Sequence, residues 1–436
     1  MPAGSRQPSP RKIVIVGGGQ AGGRVAQALA GEPGRFAVTL VCREPHPPYE
    51  RPPLSKGVLL GTIGLERCLQ WPGGDAAWSA VDLRLGLSAT AIDRPARRLY
   101  LSDGNRLAYD VLVLATGSGL RRLSVPDSDL QGIHGLRTID DALAIAGQFR
   151  KGRRLVVVGG GFIGLETVAA ARSAGLEASV VEASDRLLAR LVPPAIGQLL
   201  ARRHRAAGVA LHMGTMVGQF VGNGRGRVKA VALSSGEMLP CDLAVVGVGA
   251  KAETGLAADA GLEVDGGGVR VDAGLRTDDP AIFACGDMAA FWHPLYERHV
   301  RVEAWQNAED QARVVAAAIR GEDARYDTVP WFWSDQYELS LQIAGLPQLG
   351  SGAVQRRSPD GAVIQFHLDP AGRLVGATGL GRAEAIGRDI RLARQLIAER
   401  AHPAPAALRD PESRLKELLE GRAVSRSRRT PFRPRP

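Results

Sequence analysis

The chain contains 436 residues, of which 45% are hydrophobic, carries a formal net charge of +10, and is long enough to divide into two or three domains. No apolar stretch is long enough to cross a bilayer, and no hydrophobic segment follows the charged first residues, which predicts a cytoplasmic protein with no membrane partner. The four cysteines form no C-x-x-C pair and the eight histidines are scattered, so we expect neither structural disulfides nor a metal site.

The first predicted elements form a βαβ unit: a strand over Ile13–Val16, a helix over Gly22–Ala30 and a strand over Ala37–Val41. The turn between strand and helix has the spacing G-x-G-x-x-G, made by Gly17, Gly19 and Gly22. This spacing lets the backbone approach a pyrophosphate and directs the amides at the start of the helix toward its charge. One such turn is a weak signal, because glycine-rich turns recur in many folds.

A second copy follows, with a strand over Leu155–Val158, a helix over Gly164–Ala174 and a strand over Ala178–Val181. Its turn contains Gly159, Gly161 and Gly164. Glu182 ends the second strand, where a carboxylate can bind the ribose hydroxyls of NAD and repel the extra phosphate of NADP. Two copies in matching context predict two bound nucleotides, a redox relay, and a preference for NADH.

Two further apolar segments, Tyr109–Gly117 and Cys241–Gly249, are predicted to be buried parallel strands that end close to a ligand. A third segment, Thr277–Asp287, is predicted to be an apolar strand that ends in a glycine and an acid, with Asp287 directed at a hydroxyl-bearing ligand. Beyond Pro330, alternating runs and a helical segment over Ala383–Arg400 predict a small α+β domain with an antiparallel sheet. Residues 421–436 hold six arginines and no acidic residue, and such a tail is expected to be disordered. We interpret it as a solvated extension; a docking arm for an acidic partner or nucleic acid is the alternative.

Eight segments match a known family: GGGQAG (17–22), PYERPPLSK (48–56), LATGS (114–118), RTIDDA (137–142), GGGFIGLE (159–166), FACGD (283–287), RVEAWQNAEDQAR (301–313) and PWFWSDQYELSLQIAGL (330–346). On these motifs the chain resembles the FAD-dependent, NADH-linked ferredoxin reductases of bacterial oxygenase systems, of the putidaredoxin reductase and rubredoxin reductase type. The resemblance implies a glutathione-reductase-like α/β fold with two Rossmann-like dinucleotide-binding domains and a C-terminal α+β domain. The implied divisions are 1–122 and 247–328 for FAD, 123–246 for NAD, 329–420 for the C-terminal domain, and the tail 421–436.

The resemblance also implies the residues that contact the cofactors. It assigns FAD to the first glycine turn with Lys56, Arg137, Asp287 and Trp305, and NADH to the second turn with Glu166, Glu182 and Arg190. The remaining implied cofactor-binding positions are Gln20, Ala21, Arg43, Glu44, Arg51, Ala89, Ala115, Thr116, Gly117, Phe162, Ile163, Gly249, Glu303 and Ala304. Trp305 either stacks on the cofactor or simply packs in the core, and the sequence leaves both readings open.

Lys56 and Glu166 are the predicted catalytic residues. The family places Lys56 beside the flavin, where its ammonium favours negative charge on the reduced ring and can pair with Glu166. A lysine after Pro52–Ser55 is otherwise an ordinary surface charge, but this motif favours the functional role.

The chain departs from the family pattern at one position. Where relatives usually carry the acid that binds the FAD ribose, this sequence has Arg43, with Glu44 beside it. Either Glu44 substitutes for that acid or the contact is lost.

The segment Arg51–Lys56 contains no cysteine, unlike the corresponding segment of related disulfide reductases. Two electrons must therefore leave the flavin by another route, most simply one at a time. We expect an NADH-dependent enzyme, a monomer or weak homodimer, that reduces an acidic [2Fe-2S] ferredoxin serving a cytochrome P450 or a ring-hydroxylating, Rieske-type oxygenase. A rubredoxin reductase and a binding flavoprotein similar to apoptosis-inducing factor are the alternatives, and no nucleic-acid partner is expected.

Overall fold

The structure, a computed structural model, describes residues 9–71 and 78–419. These residues form two compact units: the first contains the chain up to Asp185 together with Arg205–Asp327, and the second contains Arg186–His204 and the chain from Thr328 onward. Within the described ranges, no helix has the length and apolar character that a membrane crossing requires. The arginine-rich tail, residues 421–436, lies outside the described residues, so its disorder stays a prediction.

The first unit contains three groups of helices and strands. Up to residue 122 they are β1 (Arg11–Val16), α1 (Gln20–Ala30), β2 (Phe36–Cys42), β3 (Val81–Leu85), β4 (Ala89–Asp93), β5 (Arg98–Leu101), β6 (Arg106–Ala108), β7 (Val111–Leu114) and β8 (Ser118–Leu120). The next group is β9 (Ile133–His134), α2 (Ile139–Ala146), β10 (Arg154–Val158), α3 (Phe162–Ser173), β11 (Glu177–Glu182), β12 (Val209–Met213), β13 (Val217–Gly222), β14 (Val228–Leu233), β15 (Met238–Pro240) and β16 (Leu243–Val246). The last group is β17 (Ala250–Ala252), α5 (Gly255–Asp259), β18 (Val264–Asp265), β19 (Gly268–Val271), β20 (Ile282–Ala284), β21 (Ala289–His293), β22 (Arg298–Val300) and α6 (Trp305–Arg320).

The first of two parallel sheets has the strand order β20-β7-β1-β2-β3. In its central strands, residues 13–16 and 111–114 are all buried Ile, Val or Leu, which is typical of a sheet covered by helices on each side. The helix α1 starts at Gln20, earlier than the predicted Gly22, because Gly19 is its N-cap and the glycine turn itself supplies the first helical residues.

The second parallel sheet has the strand order β12-β11-β10-β16-β9 and repeats the same strand, glycine turn and helix. The helix α3 likewise starts before its predicted position, at Phe162, with Gly161 as its N-cap. The antiparallel strands β13, β14 and β15 form a separate sheet. Two Rossmann-like halves, as the duplicated motif predicted, are therefore present in the first unit.

The strands β7, β16 and β20 are shorter than the three apolar segments in which strands were predicted. The parallel strands β7, β16 and β20 end before a glycine with positive φ, which is +68° at Gly117, +104° at Gly249 and +80° at Gly286. A side chain is strained in that conformation, so glycine lets the backbone turn at the carboxyl end of each strand. The chain leaves the first half through β8 and returns through β17, and these two strands pair antiparallel.

The second unit contains an antiparallel sheet, which confirms the predicted α+β domain. Its elements are α4 (Pro194–Ala206, of which residues up to His204 belong to this unit), β23 (Trp331–Gln336), β24 (Leu339–Gly345), β25 (Gly352–Arg357), β26 (Val363–Leu368), β27 (Leu374–Gly381), α7 (Ala383–Ala398) and α8 (Pro405–Arg409). The strand order is β23-β24-β27-β26-β25, and α7 packs its buried Ile and Leu side chains against β24 and β27.

Residues 186–204 group with the second unit, whereas the implied boundaries assign them to the inserted domain; those boundaries stay predictions. A buried histidine links α4 to the β23–β24 hairpin. His204 Nε2 lies 2.9 Å from Gln336 Oε1, and the Tyr337 hydroxyl lies 3.1 Å from its Nδ1. Burial lowers the pKa of His204 to about 4, so this histidine is neutral at physiological pH.

Candidate active site

The first glycine turn leaves space for a ligand only at its centre. A Cβ built on Gly17, where φ is +113°, would lie 2.2 Å from the carbonyl oxygen of Ala115, and one on Gly22 would lie 1.9 Å from the carbonyl oxygen of Gly17. These two positions therefore require glycine for the fold itself. Gly19 has no atom within 4 Å of such a Cβ, so the space beside it is open to a ligand.

The second glycine turn has the same construction. A Cβ on Gly159, where φ is +107°, would lie 2.4 Å from the carbonyl oxygen of Gly247, and one on Gly164 would lie 2.3 Å from the carbonyl oxygen of Gly159. Gly161 has its nearest neighbour, the carbonyl oxygen of Gly247, at 3.9 Å. Each turn thus presents helix N-terminal amides beside an open glycine, and both fit the pyrophosphate of a dinucleotide.

The two copies differ at the last residue of the strand that follows the helix, which is β2 in the first copy and β11 in the second. Val41 and Val181 occupy equivalent positions, since each carbonyl accepts a 2.8 Å hydrogen bond from the first glycine of its turn. The next residue is Cys42 in the first copy and Glu182 in the second. Glu182 Oε2 accepts a 2.6 Å hydrogen bond from the Gly160 N–H, so its carboxylate is fixed at the edge of the second turn.

A thiol occupies the equivalent place in the first copy. A Cβ on Gly18 would lie 2.4 Å from Cys42 Sγ, so the cysteine packs directly against the first turn. Burial, with the nearby charge of Glu44, raises the pKa of the Cys42 thiol to about 12. The first turn therefore has a neutral group where the second has a carboxylate.

Lys56 and Glu166 are brought together. The Lys56 Nζ atom lies 2.9 Å from Glu166 Oε2, and the Ser55 hydroxyl donates a hydrogen bond to the same oxygen. The Glu166 side chain is 4% exposed and the Lys56 side chain 28% exposed. A 3₁₀ turn over Pro52–Ser55 and the helix α3 carry these groups, so the ion pair connects the two nucleotide-binding halves.

Arg137 and Asp287 form a second charged pair. Asp287 Oδ2 lies 3.3 Å from Arg137 Nη2 and accepts a 2.7 Å hydrogen bond from the Ser118 hydroxyl. The Gly286 N–H donates to Gln311 Oε1 at 2.7 Å, which fixes the turn that presents the aspartate. Among the described residues no partner of Asp287 Oδ1 is found, so this oxygen is free to accept a hydrogen bond from a ligand.

Gln20 makes side-chain contacts that its motif did not predict. Its Nε2 donates to Glu309 Oε2 at 2.8 Å, and its Oε1 accepts from Gln70 Nε2 at 2.9 Å. The amide thus joins α1 to α6, and the backbone N–H at the start of α1 remains for an anion.

The other implied positions are distributed over the molecule. Arg43 and Arg190 are exposed, and Arg190 belongs to the second unit. Thr116 donates its hydroxyl to the carbonyl oxygen of Glu253 at 2.6 Å. Ile163 is 45% exposed on the first turn of α3. The remaining ones are Ala21 in α1, Ala89 in β4, Ala115 and Gly117 after β7, Gly249 before β17, Phe162 at the start of α3, Glu303 paired with Arg301, and Ala304 and Trp305 at the start of α6.

Three polar groups of this site were not singled out from the sequence: Ser55, Tyr49 and Ser118. Each lies inside a quoted motif, PYERPPLSK or LATGS, within two positions of a residue that was selected. Their signal was the motif itself, since a hydroxyl group beside a charged site residue often orients that residue. The four cysteines are all buried and none forms a disulfide.

Comparison with known proteins identifies the family. The family model for pyridine nucleotide-disulphide oxidoreductases matches residues 11–312, and the model for the reductase C-terminal domain matches residues 331–419. The chain is 42% identical to the anthranilate 1,2-dioxygenase system ferredoxin–NAD(+) reductase component of Burkholderia cepacia, with coverage of 93% of this chain and 99% of the relative. It is 39% identical to rhodocoxin reductase of Rhodococcus erythropolis, with 93% of each covered.

A solved structure agrees with these matches. The covalent complex of putidaredoxin reductase with putidaredoxin superimposes with a TM-score of 0.89 at 35% identity, covering 95% of this chain and 99% of that one. The family model spans most of the chain, and the relatives are similar over nearly their whole length. Together these matches establish the family. The chain belongs to the pyridine nucleotide-disulphide oxidoreductase family, in the form that ends with a reductase C-terminal domain.

Proposed function

We propose that this protein is an NADH-dependent ferredoxin reductase. It holds FAD at the first glycine turn and NADH at the second, and it passes electrons one at a time to a [2Fe-2S] ferredoxin. The observation that carries the proposal is the Lys56–Glu166 ion pair, which connects two nucleotide-binding halves, each with its own glycine turn, in one compact unit. The relatives support the acceptor, because several are named as ferredoxin–NAD(+) reductase components.

FAD supplies the conversion between two-electron and one-electron chemistry, and the protein supplies binding and orientation. The first turn holds the pyrophosphate beside Gly19, where the space is open. Asp287, fixed by Ser118 and Arg137, offers its free Oδ1 to a hydroxyl of the bound cofactor. Contacts within the protein fix the Asp287 carboxylate, so little ordering cost is added when a ligand binds it.

NADH binds the second turn beside Gly161. The Glu182 carboxylate accepts the ribose hydroxyls and repels a phosphate at the same position, which favours NADH over NADPH. Hydride transfer depends on how two rings are placed against each other, so no acid or base is needed at the reacting atoms.

Lys56 keeps a positive charge beside the first cofactor. Its ammonium stabilises negative charge on a neighbouring ring, and the buried Glu166 carboxylate with the Ser55 hydroxyl fixes the position of that ammonium. The pair also connects the helix α3 of the second nucleotide-binding half to the segment after Pro52–Ser55 in the first half.

Electrons leave the flavin by transfer to a separate carrier protein. No cysteine lies in Arg51–Lys56, and burial keeps the cysteines of the described residues poor nucleophiles. We expect an acidic ferredoxin as the carrier, because the chain is basic, and a cytochrome P450 or a ring-hydroxylating oxygenase as the final recipient. We expect a monomer or weak homodimer in this exchange.

The test mixes the purified flavoprotein with NADH or NADPH under anaerobic conditions and then adds a [2Fe-2S] ferredoxin. Fast bleaching of the flavin by NADH, slow bleaching by NADPH and rapid one-electron reduction of the ferredoxin support the proposal. Preferential reduction of rubredoxin would show that rubredoxin, and not a ferredoxin, is the electron acceptor. A reduced flavin that no iron–sulfur protein reoxidises would overturn the proposal.

The same assay tests the electrostatic part of the proposal. Charge-steered encounter weakens as salt screens the partners, so ferredoxin reduction should slow between 50 mM and about 500 mM salt while flavin bleaching by NADH does not. Equal salt sensitivity of the two steps would contradict an acidic ferredoxin.

A further inference from the structure

Arg121 lies where the chain crosses from the first nucleotide-binding half to the second. It directly follows β8, the strand by which the chain leaves the first half, and β8 pairs with β17, by which the chain returns. The Arg121 N–H donates to the carbonyl oxygen of Gly249 at 3.0 Å, and its side-chain Nε donates to the carbonyl oxygen of Ala250 at 2.9 Å. These two hydrogen bonds fix the side chain against the start of β17.

The aliphatic part of Arg121 lies over Gly249. A Cβ built on this glycine, where φ is +104°, would lie 3.7 Å from Arg121 Cδ and 3.9 Å from its Nε. Gly249 belongs to the loop that lines the second glycine turn, because a Cβ built on Gly159 would lie 2.4 Å from the carbonyl oxygen of Gly247 and 3.4 Å from the nitrogen of Val248. The guanidinium group is therefore placed at the carboxyl end of β16, the end at which ligands of parallel sheets bind.

Three cations predicted to contact the cofactors are paired with carboxylates, and Arg121 is not. Arg51 Nη2 donates to Glu44 Oε1 at 2.7 Å, and the Tyr49 hydroxyl donates to the other oxygen of that carboxylate. The three pairs are Arg51–Glu44, Lys56–Glu166 and Arg137–Asp287. Over residues 9–71 and 78–419, no carboxylate pairs with Arg121 and its two Nη groups have no partner. Its charge and four of its donor hydrogens are available to an anion.

The strand order indicates which part of a dinucleotide comes near Arg121. The strands β11 and β16 lie on opposite sides of β10. Glu182, at the end of β11, is the proposed ligand of the adenine-side ribose, and the turn after β10 is the proposed site of the pyrophosphate. A dinucleotide that extends from β11 across β10 continues toward β16, so its nicotinamide half, with the phosphate on that side, comes beside Gly249 and Arg121.

We propose that Arg121 binds the phosphate on the nicotinamide side of NADH through its two Nη groups. Arginine is suited to phosphate because its planar group can donate two parallel hydrogen bonds, and the contact of Nε with Ala250 leaves both Nη groups available. This inference rests on the proposed function, because it requires NADH at the second turn. It adds to the NADH site a residue that precedes the second nucleotide motif in sequence.

The experiment measures the dissociation constants of NAD⁺ and AMP from the FAD-loaded protein by isothermal titration calorimetry. AMP carries the adenine-side ribose and phosphate but lacks the phosphate on the nicotinamide side. We expect Arg121→Gln to weaken NAD⁺ binding about tenfold, because charge-assisted hydrogen bonds are lost, and to leave AMP binding unchanged. Glu182→Ala should weaken both ligands, since both carry the ribose that Glu182 binds. Equal weakening of NAD⁺ and AMP by Arg121→Gln, or no weakening of either, would overturn the inference.

Two further variants test whether the charge at this position matters. Arg122 is next in sequence and also exposed, so Arg122→Gln is the matched control and should leave the constant for NAD⁺ unchanged. Arg121→Lys keeps the charge without the planar group and should bind NAD⁺ more tightly than Arg121→Gln does. Equal constants for the Lys and Gln variants would contradict an anion as the ligand of Arg121.

Steady-state kinetics and thermal unfolding exclude other roles for Arg121. We expect Arg121→Gln to raise the KM for NADH about tenfold while kcat, the KM for ferredoxin, the FAD content and the melting temperature stay unchanged. A higher KM for ferredoxin with unchanged NAD⁺ binding would place Arg121 at the partner's surface and overturn the inference alone. A wild type that neither binds NAD⁺ nor is reduced by NADH would overturn the proposed function as well.

Discussion

The Lys56 ammonium lies 2.9 Å from Glu166 Oε2, although the two residues come from different nucleotide-binding halves. The carboxylate is nearly inaccessible to water, while the ammonium is 28% exposed. The two partners therefore differ in what their loss would cost. A buried charge left alone loses its solvation and its partner, whereas a partly exposed charge recovers some hydration.

This asymmetry predicts that Lys56→Met lowers the free energy of unfolding more than Glu166→Gln. We expect a loss of roughly 3 kcal/mol for Lys56→Met, as for other broken buried pairs, and of about 1 kcal/mol for Glu166→Gln, as for exposed pairs. Urea denaturation measures both. The exposed Lys229 supplies the control variant Lys229→Met, which should be near neutral. Equal losses at the two partners would contradict the role of burial.

The glycine turns predict a separation of the two binding functions. An alanine at Gly19 or Gly161 enters open space, so the fold should tolerate it, but the methyl group blocks close approach of a pyrophosphate. Gly19→Ala should weaken FAD binding with little effect on the KM for NADH, and Gly161→Ala should do the reverse. Fluorescence titration and steady-state kinetics measure the two effects.

A matched variant shows whether the effect is local. Gly17→Ala places a Cβ 2.2 Å from a carbonyl oxygen, so we expect it to destabilise the apoprotein itself. If Gly19→Ala lowers the apoprotein's melting temperature as much as Gly17→Ala does, the open space beside Gly19 is not a ligand site.

The sequence predicted the parts of this molecule that depend on local pattern. Each of two apolar strands is followed by a glycine turn, and this pattern predicted the two Rossmann-like halves. The position of Glu182 at the end of a strand in the second half was also predicted from the pattern. The engagement of Gln20 and Glu44 could not be predicted, because their partners Glu309, Gln70 and Arg51 meet them only after folding. Spacing identifies which residues are near a turn, and tertiary contacts decide which of their atoms are free.

The same limit applies to residues 186–204. Their sequence follows the second nucleotide motif directly, yet His204 is fixed by Gln336 and Tyr337 of the C-terminal sheet. The pairing joins residues far apart in sequence, and no local signal announces it. The predicted starts of α1 and α3 were wrong for a simpler reason, because the first turn of each helix begins inside the glycine motif.

Glu182 predicts the choice of nicotinamide cofactor. Its carboxylate is held by the Gly160 and Ser184 N–H groups, at 2.6 and 2.8 Å, and cannot easily move away from a 2′-phosphate. Because like charges in contact cost several kcal/mol, Glu182→Ala should narrow the ratio of kcat/KM for NADH over NADPH by about tenfold or more. Steady-state assays with both cofactors measure the ratio.

Glu182→Asp keeps the charge on a shorter side chain and is the control, expected to retain most of the preference. Loss of activity with both cofactors to the same degree, with the ratio unchanged, would show that Glu182 supports the turn and does not read the ribose.

The cysteines predict how the enzyme responds to thiol reagents. Burial raises the pKa values of Cys42, Cys241 and Cys285 to about 12 each, so at pH 8 these thiols are protonated and poor nucleophiles. Iodoacetamide at pH 8 should therefore leave the rate of ferredoxin reduction by NADH unchanged. As pH rises toward 12 the thiolate fraction grows, and alkylation should accelerate. Inhibition at pH 8 that Cys42→Ala removes would show that a thiol takes part in the reaction, and electron transfer to an external carrier would no longer be the only route from the flavin.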